Sequence, residues 1–195
     1  MQKLKAIIFD KDDTLMEDQI YSAKFEEEYF FNDVIPSCIL LKNSGYRLFI
    51  LSNQSGISKG KFSEKSLLSN FIELNYRLKK NYNFIFDGFF YCPHLPEYNC
   101  MCRKPSTGLF VKLISYFQID PLQSFYIGDR LTDLYFSINA GLMPVIIHRN
   151  NYLYKDQVIY KDIEEIEILE EQYKVLIFNS IIDFANLIKL EKSCI

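Results

Sequence analysis

The sequence predicts an α/β fold, a three-layer sandwich built on a mainly parallel sheet. Two observations carry that expectation. Short apolar runs alternate with stretches of helical periodicity along the chain, which implies parallel strands joined by helices that cover both faces of one sheet. Clusters of polar residues then follow three of the predicted strands directly, at 10–14, 52–56 and 128–133. Sheets of this kind bind ligands beyond the carboxyl ends of their strands, so the clusters are expected to meet at one rim.

The elements follow in order. Residues 4–9 (LKAIIF) read as a buried strand running into Asp10, and 34–43 as a helix stopped by Gly45. Residues 47–51 (RLFIL) are a second strand ending at Ser52. Residues 64–80 have helical periodicity, with Leu67, Leu68, Phe71, Leu74 and Leu78 on one side and Ser63 as cap. A third strand is expected at 87–91, a helix at 107–117 and a strand at 124–127. A helix at 131–140 closed by Gly141 and a strand at 145–148 follow. The acidic insertion at about 150–173, with Glu164, Glu165, Glu167, Glu170 and Glu171, reads as a solvated helix or loop. Residues 174–178 (KVLIF) are a last strand and 181–190 a last helix.

With 195 residues, 49% of them hydrophobic, the chain can bury a sizeable core, and residues 1–195 read as one domain. A net charge of −3 argues against a nucleic-acid binder held by a broad basic face. Nothing resembles a membrane span of ~18 apolar residues. The amino-terminal segment reaches carboxylates too soon for a signal peptide, so a cytoplasmic protein is expected. A monomer is expected as well.

The polar clusters carry chemistry. Asp10 and Asp12 are two apart on an extended segment, so their side chains can point the same way. Asp129 and Asp133 join them by folding. Carboxylates gathered in one cleft repel one another and need a cation, and oxygen-only ligands favour Mg²⁺ with a substrate phosphate. Asp10 can then attack phosphorus to form an aspartyl-phosphate, and Asp12 can protonate the leaving alkoxide and later deprotonate water. Ser52 offers a hydroxyl and Lys104 a point charge for the phosphate oxygens. Taken singly, each motif also reads as a turn, a helix start or a solvated lysine. Their joint order is what carries the catalytic reading. Cys92, Cys100 and Cys102 cluster with His94, and in a cytosolic chain such a cluster reads as metal ligands before disulfides.

The set DKDDT, SNQSGI, RKP and GDRLTD resembles the four motifs of the haloacid dehalogenase superfamily, over roughly residues 4–148. Within its phosphatase branch the match is to the group of heptose bisphosphate and histidinol-phosphate phosphatases. The resemblance implies little or no cap domain and a zinc loop at 92–102. It implies Asp10 as nucleophile, Asp12 as general acid/base, and Mg²⁺ held by Asp10, Asp129 and the Asp12 carbonyl. Asp133 would act indirectly, orienting Lys104 or a water. Ser52 and Asn53 would bind the transferring phosphate with Lys104 opposite, and Gln54 and Ser55 would be substrate-binding as well. C-x-H-x₅-C-x-C at Cys92, His94, Cys100 and Cys102 makes a closed Zn²⁺ set. SNQSGISKGKF and the pair Asp18 and Tyr21 resemble the heptose members. Arg103 and Arg130 would reach a sugar's second phosphate or hydroxyls. The expected substrate is therefore a small-molecule sugar phosphate, a heptose 1,7-bisphosphate losing its 7-phosphate. Histidinol phosphate and an inactive sugar-phosphate-binding protein are the alternatives. Two departures stand out: Asp13 replaces a glycine in the first motif, and Asn32-Asp33 replaces a Pro-Gly turn.

Overall fold

The computed structural model describes residues 3–149, 163–168 and 171–193. Strand β1 (Ala6–Phe9) lies inside a seven-stranded sheet, with β2 (Arg47–Asn53) and β3 (Gly88–Cys92) on one side. On the other side follow β4 (Phe125–Gly128), β5 (Met143–Ile147), β7 (Glu171–Phe178) and β6 (Ile163–Ile168). All neighbours pair in parallel except β6, which runs antiparallel to β7 at the edge. The helices are α1 (Val34–Asn43), α2 (Glu64–Tyr82), α3 (Gly108–Phe117), α4 (Leu131–Ala140) and α5 (Ile181–Ser193).

Side-chain alternation along the central strands divides the core in two. Ile7 and Phe9 of β1, with Leu48 and Ile50 of β2, pack against α1, α2 and α5 through Val34, Leu41, Leu67, Leu74 and Phe184. Ala6 and Ile8, with Phe49 and Leu51, face the opposite way, toward Leu109 and Leu113 of α3 and Phe136 of α4. This yields the expected three layers. In α2, Leu67, Leu74 and Leu78 are buried, whereas Leu68 is largely exposed, so the apolar stripe is narrower than the sequence suggests. Ser63 caps α2 by accepting from the Ser66 N–H.

The acidic insertion corrects one expectation. Residues 163–168 are a strand, not a helix or loop, and β7 begins at Glu171. The isoleucines at 163, 166 and 168 supply β-branched residues among the glutamates, and the antiparallel ladder to β7 satisfies the backbone. The rest of the insertion, 150–162 and 169–170, lies outside the described residues.

Asp33 explains the second departure from the family motifs. Its carboxylate accepts from Arg149 Nη1 at 2.7 Å and Nη2 at 3.1 Å, and from the Ile181 N–H at 2.6 Å. A carboxylate here ties the start of α1 to the end of β5 and caps α5, which glycine could not do.

The order of the sheet places the site. The chain leaves β1 toward β2 on one side, while β4 adds on the other. The crevice between β1 and β4 is therefore the topological switch point, and Asp10 and Asp129 follow those two strands directly.

Candidate active site

A cavity of about 860 Å³ opens beyond these strand ends. It is lined by every residue of 52–56 and by Asp10, Asp12, Asp18, Tyr21, Arg103, Lys104 and Arg130. The expected phosphate and substrate residues thus converge from five segments of sequence.

Lys104 organises the floor. It is buried, and its ammonium lies 2.8 Å from Asp10 Oδ1 and 2.6 Å from Asp133 Oδ1. It also donates to the Tyr126 hydroxyl at 2.8 Å. Burial alone would push the ammonium down, but Asp10 and Asp133 outweigh it and hold Lys104 above the usual lysine range. Asp133 uses both oxygens on protein donors: Oδ1 on Lys104 and Tyr126, Oδ2 on the N–H groups of Asp129 and Arg130. Gly128 is required beneath it, because a Cβ there would come within 2.4 Å of Asp133 Cβ.

Asp12 occupies the next position along the rim. Oδ1 pairs with the buried Lys11 ammonium, and Oδ2 accepts from Gln54 Nε2 at 3.0 Å. Burial raises its carboxyl above the usual range. Lys11 opposes that shift and the Asp10 charge adds to it. Gln54 Nε2 also donates to Ser52 Oγ at 3.0 Å. Asn53 is placed differently from its neighbours. Its side-chain oxygen accepts from the Lys104 N–H at 3.0 Å and its nitrogen donates to the Lys104 carbonyl at 3.3 Å. It brackets the lysine's backbone from across the cavity.

The acidic group can hold a cation. Oxygens of Asp10, Asp129 and Asp133 lie within 4.8 Å of one another. Burial, then repulsion from Asp10 and Asp133, pushes the Asp129 carboxyl up to about 8. With Asp133 satisfied by protein donors, Asp10 and Asp129 remain, a hard oxygen set suited to Mg²⁺. Thr14 steadies Asp129 by donating its hydroxyl at 3.0 Å.

A second group can also hold a metal. Sγ atoms of Cys92, Cys100 and Cys102 and Nδ1 of His94 lie within 4.8 Å of one another, with neighbouring pairs 3.2–3.6 Å apart. Tetrahedral Zn²⁺ with Zn–S of ~2.3 Å needs sulfur edges slightly longer, near ~3.8 Å. Burial pushes the Cys92 thiol up. Burial also acts to raise Cys100, but hydrogen bonds from Cys102 and Cys92 outweigh it and hold that thiol down at about 6. The loop is tied to the cavity by Arg103, which donates to the His94 carbonyl at 3.1 Å, and by the Gln54 N–H, which donates to the Cys92 carbonyl at 2.7 Å.

Four residues come to the site without having been singled out. Tyr126 bonds Lys104, Asp133 and the Leu51 carbonyl. A tyrosine inside a buried strand needs a partner for its hydroxyl, and that was the available signal. Lys11 and Thr14 sat inside the first motif. Lys59 donates to the Tyr21 hydroxyl and lies 4.3 Å from that ring's centre, joining two segments of the rim.

Strand-end aspartates opposed by a buried lysine, on this sheet, define a phosphoric monoester hydrolase of the haloacid dehalogenase type. The family model described as "Polynucleotide kinase 3 phosphatase" matches residues 5–134. The D-glycero-beta-D-manno-heptose-1,7-bisphosphate 7-phosphatase of Haemophilus ducreyi is 36% identical over 151 residues, 74% of this chain and 83% of that protein. The D-glycero-alpha-D-manno-heptose-1,7-bisphosphate 7-phosphatase of Campylobacter jejuni is 34% identical over 148 residues, again 74% and 83%. A crystal structure of D,D-heptose 1,7-bisphosphate phosphatase from B. bronchiseptica, complexed with magnesium and phosphate, superposes with a TM-score of 0.76 at 21% identity, covering 96% of this chain and 99% of that one. The chain belongs to the D-glycero-D-manno-heptose 1,7-bisphosphate 7-phosphatase family of the haloacid dehalogenase superfamily, within the reach of the polynucleotide kinase 3 phosphatase model.

Proposed function

We propose that the chain is a Mg²⁺-dependent phosphatase that removes the 7-phosphate of D-glycero-D-manno-heptose 1,7-bisphosphate through an aspartyl-phosphate on Asp10. The observation that carries this reading is the contact of Lys104 with Asp10 at the switch point, with Asp12 and the Ser52–Gln54 cluster around the same cavity. The substrate follows the relatives, and the cavity supports it by holding Arg103 and Arg130 in its lining, cations that suit an anionic sugar.

Asp10 attacks phosphorus as the bond to the sugar oxygen breaks, and Asp12 gives that oxygen its proton. The raised carboxyl of Asp12 suits an acid at this step. Asp12 then takes a proton from water. The water oxygen attacks phosphorus, the Asp10–phosphorus bond breaks, and inorganic phosphate leaves. Lys104 and the Ser52 hydroxyl hold the equatorial oxygens. Asp10, Asp129 and the Asp12 carbonyl would hold Mg²⁺, which neutralises the carboxylates and the phosphate so that one can approach the other.

Zn²⁺ on Cys92, His94, Cys100 and Cys102 would be structural, because a closed ligand set leaves no position for substrate. Its work is to stiffen the loop that presents Arg103 and Lys104. The chain acts as one domain without a large cap, as a monomer in the cytoplasm. Among the described residues no helix is long and apolar enough to cross a membrane.

The test is kcat/KM with Mg²⁺ across a panel of heptose 1,7-bisphosphate, hexose mono- and bisphosphates, histidinol phosphate and a 3′-phosphorylated oligonucleotide. The heptose bisphosphate is expected to be highest. A clear preference for histidinol phosphate or the oligonucleotide contradicts the reading.

A further inference from the structure

Asp13 stands where the first motif of the family has glycine. Its backbone is left-handed, with φ of 58°, a conformation that aspartate tolerates better than most residues. Its carboxylate spans two parts of the cavity mouth. Oδ2 accepts from Arg130 Nη2 at 2.8 Å, and Oδ1 accepts from the Asp18 N–H at 3.1 Å. Asp18 and Arg130 both line the cavity, whereas Asp13 is not part of the lining. It grips the rim from behind at two points.

Arg130 has a competing partner. Its Nε lies 3.6 Å from Asp129 Oδ2, and its side chain is half exposed. Released from Asp13, the guanidinium would settle on Asp129 or move into solvent. Held as it is, the planar fork has Nη2 on Asp13 and Nε beside Asp129, which leaves Nη1 as the donor for an anion.

We propose that Asp13 is a positioning residue for substrate specificity. It holds Arg130 at the mouth, where the guanidinium receives the anionic group of the substrate that is remote from the transferred phosphate. The inference rests on the bisphosphate reading above. Asp13 adds negative charge near an anionic ligand, and Arg130, which also faces Asp129, offsets only part of it. The gain Asp13 offers is the fixed geometry of the guanidinium.

The test is a double-variant cycle of Asp13→Gly, Arg130→Ala and both together, on heptose 1,7-bisphosphate and heptose 7-phosphate. Glycine suits the left-handed backbone, so the fold is retained, and a melting curve checks this. Each single variant is expected to raise KM for the bisphosphate about tenfold, the scale of one charge-assisted hydrogen bond, with kcat moving less. The double variant should match Arg130→Ala apart from a small loss from the Asp18 N–H bond, because the specificity effect of Asp13 runs through Arg130. KM for heptose 7-phosphate, which lacks the remote phosphate, should change little. Asp13→Asn, which keeps one acceptor, should fall between wild type and glycine. Unchanged or lowered KM in Asp13→Gly, independent effects of the two substitutions, or an equal rise on the monophosphate would each overturn the proposal. A wild type that does not turn over the bisphosphate sinks the functional reading and this inference together, and is seen before any variant is made.

Discussion

Lys104 Nζ lies 2.8 Å from Asp10 Oδ1, so the proposed nucleophile and the cation meant for the transferring phosphate touch before substrate arrives. A phosphate entering the cavity replaces a carboxylate–ammonium contact with one shared among three groups. Lys104→Met should lower kcat about 10²–10³-fold, the range for removing one charged stabiliser of a transition state. It should also destabilise the fold by ~3–5 kcal/mol at neutral pH, since Asp10 and Asp133 lose their buried partner. Steady-state rates and denaturant melts check both. Wild-type rates in the variant would remove Lys104 from the chemistry.

Asp10→Asn should abolish turnover while the protein still folds cooperatively, with a lower melting temperature because Lys104 keeps only Asp133 as a charged partner. An amide cannot serve as the carboxylate nucleophile. Asp12→Asn should lose activity on sugar phosphates but retain phosphorylation of Asp10 by an aryl phosphate, whose leaving group needs no proton. A burst of phenolate of about one equivalent, without steady turnover, is the expected trace.

Mg²⁺ should stabilise the protein more at pH 8 than at pH 6. The Asp129 carboxyl sits near 8 in the metal-free fold and near its ordinary acidic value when unfolded. The folded state therefore binds the extra proton between those values, and metal-free stability falls as pH rises through that window. Above pH 8 the ionised group repels Asp10 and Asp133, and a cation relieves this. Melting shifts should follow at ~2–4 °C per kcal/mol for a chain of this size. Asp129→Asn should raise the metal-free melting temperature at pH 8 and erase the Mg²⁺ response. An equal Mg²⁺ shift at both pH values would contradict this account of the acidic group.

Zinc should be present at about one equivalent per chain, with the ligand set satisfied by three thiolates and an imidazole. Cys100→Ser or Cys102→Ser should release metal and lower the melting temperature, because binding energy is folding energy at such a site. Protein that carries no zinc, with both variants melting like wild type, would show that the loop is held by packing alone.

Much of this was legible in the sequence because the relevant rules are local. The apolar run before Asp10, the Ser63 cap and the glycine after Ala140 each declare an element within a few residues. The four motifs were legible because their residue types make sense only together. What escaped depended on distant partners. Tyr126 looks like one more aromatic in a buried strand until Lys104 and Asp133 arrive from 22 residues before it and 7 after. Residues 163–168 form a strand only against β7, and their glutamates hid the isoleucine spacing. Asp13 read as a departure from a motif because its partner, Arg130, lies 117 residues away. Asn53 reads as a phosphate ligand from its motif and lines the cavity, but the pairing of its amide with the Lys104 backbone is one that spacing cannot reveal.

Which phosphate is released, and whether Asp10 is needed, can be read by ³¹P NMR of heptose 1,7-bisphosphate incubated with the enzyme and Mg²⁺. The 7-phosphate signal should be lost, inorganic phosphate should grow at the same rate and the 1-phosphate should be retained, with no change when Asp10→Asn replaces wild type. Release of the 1-phosphate, turnover by Asp10→Asn, or no release at all would contradict the proposed reaction.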